Sequence, residues 1–197
     1  MASQSRTRLL TAGAEEFSRH GLRGTRVRDV VARAGVNERM LYEHFASKEG
    51  LYQAVLTEEG AGLAAAWAPV LDRAAALEPH AGMRLALRAF FDAVGVRPRL
   101  VALILHEGLG EGTVRMPIDL DEVPAPLRTL HERGRASGVF RSEGDVAVFY
   151  AAAVSLLTTL SSVPGRLAHL TGDSTPDARD RLRDQLVDLL LDGVTGP

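Results

Sequence analysis

The 197-residue sequence contains no cysteine, which excludes disulfides, thiolate zinc sites and cysteine nucleophiles. Nor does it contain an apolar run of the roughly 18 residues that a membrane helix needs; the longest, Val146–Val154, is far too short. Met1–Arg8 is polar and lacks the apolar core and small-residue cleavage site of a secretory leader, so a cytoplasmic protein without a membrane partner is expected. Lysine is almost missing: of 23 basic residues all but Lys48 are arginine. Such a bias fits a GC-rich genome, and against it a retained lysine marks a place where a compact point charge is wanted.

What the chain does contain is ordinary for a globular protein, with 46% hydrophobic and 24% charged residues. Its net charge of −2 does not suggest a nucleic-acid partner. The distribution does. Between Arg19 and Lys48 seven basic residues stand against three acidic ones, whereas from Glu49 onward acids outnumber bases by six. A basic head on an acidic body suits a DNA-contacting unit carried by a regulatory one, although a solvated charged face would look the same.

The periodicity is helical almost throughout, and an all-α fold is expected. Leu10, Ala14 and Phe17 mark an amphipathic helix from Ser5 to His20, closed by Gly21. Thr25 is placed to cap a second helix with Val27, Val30, Val31 and Ala34 inward, and Gly35-Val36 ends it. Asn37 caps a third with Leu41 and Phe45 inward, and Ser47 a fourth that continues to Trp67. Beyond Pro69, helices are expected near 71–76, 81–94, 98–107, 126–137, 143–162 and 176–192, with 108–124 as a loop. The expected division is a DNA-binding domain at 1–50 and an effector-binding and dimerisation domain at 51–197.

The middle pair, two short helices joined by a tight turn, has the form of a helix-turn-helix, in which the second helix enters a major groove. Its outer and N-terminal side would carry Asn37, Glu38, Arg39, Met40 and His44 to base edges, with the Tyr42 hydroxyl reaching a phosphate. Arg39 could pair with a guanine and Met40 rest on a thymine methyl. Thr25, Arg26, Arg28 and Lys48 are candidate phosphate contacts. Lys48 opens a helix, where a cation opposes the dipole, and a phosphate lying there would resolve that conflict. Helix-turn-helix geometry also occurs in helical enzymes and ligand carriers, so the spacing by itself leaves that alternative open.

Phe17–Gly21 (F-x-x-H-G), Gly24-Thr25, Ala34–Val36 (A-G-V), Leu41–Phe45 (L-Y-x-H-F) and Ser47–Glu49 (S-K-E) recur at one spacing over about fifty residues. Together they resemble the N-terminal domain of TetR-family repressors. The resemblance implies a three-helix DNA-binding head, a helical body that binds a small-molecule effector, and a homodimer formed by the last two long helices on a palindromic double-stranded operator. It implies no enzyme activity, cofactor or metal. Three departures from the usual pattern stand out: Val31 replaces a small alanine, Arg39-Met40 a common Gly-Thr pair, and Ala46 a frequent proline, the last expected to cost only rigidity.

Phe149, Ala153 and Leu157 on one late helix and Leu182, Leu186, Leu189 and Leu190 on the other form the expected dimer interface. Trp67, Met83, Phe90, Phe91, His106, Met116, Phe149 and Tyr150 are the large body residues from which a mainly apolar effector pocket would be drawn. Leu100–Ile104 followed by Gly108, Gly110 and Gly112 imitates a strand leading into a phosphate loop. The third glycine of a dinucleotide fingerprint is missing at Thr113, and no βαβ alternation surrounds it. His106-Glu107 and His131-Glu132 lack the second histidine of a zinc motif, and His131 is expected to be exposed. The sequence does not separate repressor from activator.

Overall fold

The computed structural model describes residues 2–108, 122–141, 143–161, 172, 175 and 177–195. Helices are α1 (Ala2–Gly24), α2 (Val27–Ala34), α3 (Glu38–Phe45), α4 (Lys48–Ala75), α5 (Pro79–Gly95), α6 (Pro98–Gly108), α7 (Ala125–Ala136) and α8 (Val146–Ser161). The last among the described residues, Ala178–Asp192, is designated α9. The only β pairing among them is an isolated bridge between Phe140 and Thr195. The all-α expectation holds, and the strand imitation at 100–104 lies within α6. No helix of the described residues is long and apolar enough to cross a membrane.

Compactness divides the chain into two units. The first runs to Gly62 and takes in α6; the second holds Leu63–Val96 and α7 to α9. The division falls after residue 62 rather than 50 because α4 continues unbroken past residue 50 and because α6 packs on α1.

In the first unit, Leu9, Leu10, Ala14 and Phe17 of α1 bury their stripe against Val30, Leu41, Leu51, Tyr52, Val55 and Leu56, with Leu103 of α6 joining the same core. Phe17 meets Tyr52 edge to face at 4.9 Å, the favoured geometry for two aromatic quadrupoles. α1 starts three residues earlier than expected and kinks at Gly21 (φ 66°). The turn between α2 and α3 rests on Gly35, held at φ 61°, ψ 41°. That left-handed position costs an L side chain about 1–2 kcal/mol. An added Cβ there would also strike Arg8, whose Nη2 donates to Gly35 O at 3.0 Å.

Asn37 caps α3 as expected, its Oδ1 accepting from Met40 N at 3.0 Å. Ser47 caps α4 through Gly50 N at 2.9 Å. Gly50 can be nothing larger here, since a Cβ would lie 2.0 Å from the carbonyl oxygen of Phe45. Thr25 does not cap α2; the N-cap is Arg26, whose side chain makes no capping hydrogen bond. α4 does not stop near Trp67: it absorbs Pro69 and the expected helix at 71–76 into one 28-residue element. Proline removes one helical hydrogen bond but need not end a helix held by packing on both sides of it.

The second unit is built around α5. Trp67 packs on Phe90 at 4.9 Å and donates Nε1–H to Ala86 O at 2.9 Å. The antiparallel pair α5 and α9 is laced by ions at four-residue spacing along α5: Arg84 with Asp188, Arg88 with Asp184, and Asp92 with Arg183 and Arg179. The charge order reverses at the third rung. Arg133 caps the end of α4, donating to Ala75 O and Leu77 O at 2.6 and 2.8 Å. His131 is 3% exposed and stacks on Phe140 at 5.9 Å, so it is buried rather than surface-lying. Its burial pushes the imidazole pKa down, assisted by the neighbouring Arg135.

Candidate DNA interface

α3 has only eight residues, and its two faces are sharply divided. Leu41 and Phe45 are in the core. On the opposite face Glu38, Arg39, Tyr42 and Glu43 are exposed in sequence positions one turn apart. Arg39 is 84% exposed and donates Nε–H to Glu43 Oε1 at 2.7 Å. The Tyr42 hydroxyl donates to Glu38 Oε1 at 3.3 Å. Partial desolvation, reinforced by the charge of Glu38, raises the phenol above its ordinary pKa. A phenol is neutral at physiological pH with or without that shift, so Tyr42 is a hydroxyl donor.

Several residues expected on that face lie elsewhere. Met40 is half-buried against the core of the first unit, because its position on the helix turns it toward Leu41's side. His44 is also half-buried and bonds through Nε2 to the Ser5 hydroxyl at 3.0 Å, tying α3 to the start of α1. Asn37, by contrast, is exposed at the start of α3 as expected, with its carbonyl oxygen taken by the cap.

The two expected phosphate anchors are corrected in the same way. Thr25 is 3% exposed, and its hydroxyl donates to Gly21 O at 2.8 Å and Glu16 O at 3.2 Å. Lys48 donates Nζ–H to Leu22 O at 2.8 Å and Thr25 O at 3.2 Å. Both side chains satisfy carbonyls left over where α1 ends. The lysine thus opens α4 but sits at the C-terminal end of α1, where a cation is favoured. No dipole conflict has to be resolved by DNA. One of its three N–H groups is left for a phosphate.

Arg26 and Arg28 are exposed as expected, Arg28 3.5 Å from Asp29. Two residues went unnoticed in the sequence. Arg6 is exposed and lays its guanidinium 5.4 Å from the Phe45 ring centroid, a cation–π contact beside α3. Glu43 is the ion partner of Arg39. The only hint of the second was its i, i+4 spacing.

Comparison with known proteins agrees with this geometry. The model of the family described as "Bacterial regulatory proteins, tetR family" matches residues 9–55, α1 through the first turns of α4. The transcriptional repressor NicS of Pseudomonas putida is 31% identical over 148 residues, 72% of this chain and 68% of NicS. The chain belongs to the TetR family. A second repressor of that kind, KstR2 of Rhodococcus jostii, is 28% identical over 99% of this chain and 93% of its own. Among solved structures, the transcriptional regulator SCO4942 of Streptomyces coelicolor superposes with a TM-score of 0.68 at 25% identity, covering 98% of this chain and 99% of that one.

For this TetR-family chain the second unit alters the expected assignments. Trp67, Met83, Phe90, Phe91, Phe149 and Tyr150 are all under 10% exposed and pack as core. His106 belongs to the first unit, where its ring lies against Gly21. Met116 falls outside the described residues. Of the expected interface, Phe149, Ala153, Leu157 and Leu186 are buried within the protomer. Leu182 and Leu190 are half-buried, and Leu189 is 65% exposed. The outward face of α8 is instead Val148 (67% exposed), Ala151, Ala152, Ser155 and Thr159.

Proposed function

We propose that this regulator is a homodimeric repressor whose two first units read a palindromic operator in successive major grooves, about 34–36 Å apart. The observation that carries the reading is the exposed face of α3, where the Arg39 guanidinium and the neutral Tyr42 hydroxyl project together from a helix anchored by Leu41 and Phe45. Arg39 pairs with a guanine edge. Tyr42, Arg26, Arg28, Arg6 and the remaining N–H of Lys48 supply phosphate contacts, which set register without reading sequence.

Dimerisation uses the outward face of α8 with Leu189 of α9. Val148 and Leu189 are large apolar side chains left in water on helices that pack on each other, which a second copy would cover. The DNA-reading domain is the first compact unit; the second carries the dimer contact and the effector. The effector is a small, mainly apolar molecule, in keeping with an interior of Trp67, Phe90 and Phe149. One polar handle is available in the hydroxyl of Thr158, buried without a hydrogen-bond partner among the described residues. It releases DNA by favouring a state with the wrong head spacing, to the extent of its differential affinity for that state.

Selection from a pool of duplexes with randomised centres tests the reading. Recovery of an inverted repeat containing guanine in each half-site supports it. Enrichment of no sequence over the starting pool contradicts it.

A further inference from the structure

The Arg39–Glu43 pair is hard to explain as a device for stability. In an i, i+4 pair the acid is better placed N-terminal to the base, and here it is C-terminal. Glu43 also lies in the last turn of α3, where the dipole disfavours an anion. On a surface that approaches phosphates, a carboxylate adds repulsion as well. The contact is nevertheless specific: Glu43 takes the Nε–H of Arg39 at 2.7 Å. With Nε engaged, the two terminal nitrogens remain for another acceptor. Two parallel N–H groups on one edge are what guanine O6 and N7 accept.

We propose that Glu43 is a positioning residue for base reading: it holds Arg39 extended with its terminal edge presented to guanine, and it restrains the arginine from turning to the nearest phosphate. Glu43 raises specificity at the expense of overall affinity. The proposal rests on the reading of Arg39 as the guanine contact, and the experiment separates the two. The other acid on this face, Glu38, faces Tyr42 and leaves Arg39 to Glu43.

The full chain and its Arg39→Ala, Glu43→Ala and Glu43→Gln variants are titrated at one salt concentration against the selected operator, the same duplex with the guanine pair replaced by each alternative, and a random duplex. Glu43→Ala is expected to reduce the preference for guanine by about two- to tenfold, the cost of ordering one long side chain only on binding. Its affinity for random duplex stays level or rises. Glu43→Gln keeps an oxygen acceptor and recovers part of the preference, a rescue that a role in helix stability would not produce. If Arg39→Ala abolishes the guanine preference while Glu43→Ala leaves it intact, the positioning role is wrong and the reading of Arg39 stands. If neither variant alters it, both fall. A change confined to a different base pair in Glu43→Ala makes Glu43 a reader itself and overturns the proposal.

Discussion

The ammonium of Lys48 lies 2.8 Å from the carbonyl oxygen of Leu22, so the chain's one lysine closes the end of α1 while opening α4. Losing it should therefore have two consequences. Lys48→Met is expected to cost about 1.5–3 kcal/mol of stability, the range for hydrogen bonds involving a charged group, as well as weakening DNA binding. Thermal unfolding of the variant checks this. An unchanged midpoint together with weaker DNA binding would return Lys48 to a phosphate contact alone.

Ala46 is the one non-glycine residue with positive φ among the described residues, at φ 61°, ψ −32°, and its N–H donates to Tyr42 O at 3.0 Å. Ala46→Gly should stabilise the protein by about 1 kcal/mol by removing that strain. Ala46→Pro should cost about 3 kcal/mol or more, since proline is locked near φ −65° and has no N–H to give. The expectation that alanine here costs only rigidity relative to proline does not survive the observed backbone. Denaturant unfolding of both variants measures the two shifts, and a stabilising proline would contradict the account.

His131 makes stability depend on pH. Its pKa is lowered in the folded state, chiefly by burial, so the unfolded chain binds a proton that the folded one refuses. Stability is then complete above the unfolded histidine pKa of about 6.5 and declines as pH falls from there toward the lowered value. His131→Phe keeps the stack on Phe140 and should flatten this part of the profile. Unfolding free energies between pH 7 and pH 5 test it; a variant with the same slope as the parent would remove His131 as the source.

The ion ladder between α5 and α9 should couple its members. Arg183 is 12% exposed and reaches Asp92, Asp180 and Asp184. A double-mutant cycle of Asp92→Asn with Arg183→Gln is expected to give an interaction of about 1 kcal/mol, smaller at high salt because the rungs are half-exposed. Strict additivity would mean that packing alone joins the two helices.

The first fifty residues were legible because their signals are local. Asn37 and Ser47 cap the helices they precede, Gly35 takes the turn, and the apolar stripes of α1 and α3 face inward. What was missed depends on contacts across the chain. Nothing next to Lys48 in sequence reveals the carbonyls of Leu22 and Thr25, and nothing near His44 reveals Ser5. An apolar stripe such as Phe149, Ala153 and Leu157 tells which side is buried, not whether the same chain or another copy buries it; within one protomer these three are already buried. The side left open carries mostly small residues with Val148 and gave little signal. The ladder was readable in part, since Arg84, Arg88 and Asp92 are spaced at four residues and meet charges of opposite sign at Asp188, Asp184 and the flanking pair Arg183 and Arg179. The effector pocket was not, because every large residue proposed for it would look the same as plain core.

The central claim is that the exposed face of α3 and the cations around it hold DNA. Titration of the full chain with duplex DNA over a range of salt concentrations tests it most directly. The account predicts binding at ~50 mM salt, with log K falling by several units per tenfold rise in salt as phosphate counterions are released. Absence of binding to any duplex at that concentration, or an affinity indifferent to salt, would contradict it.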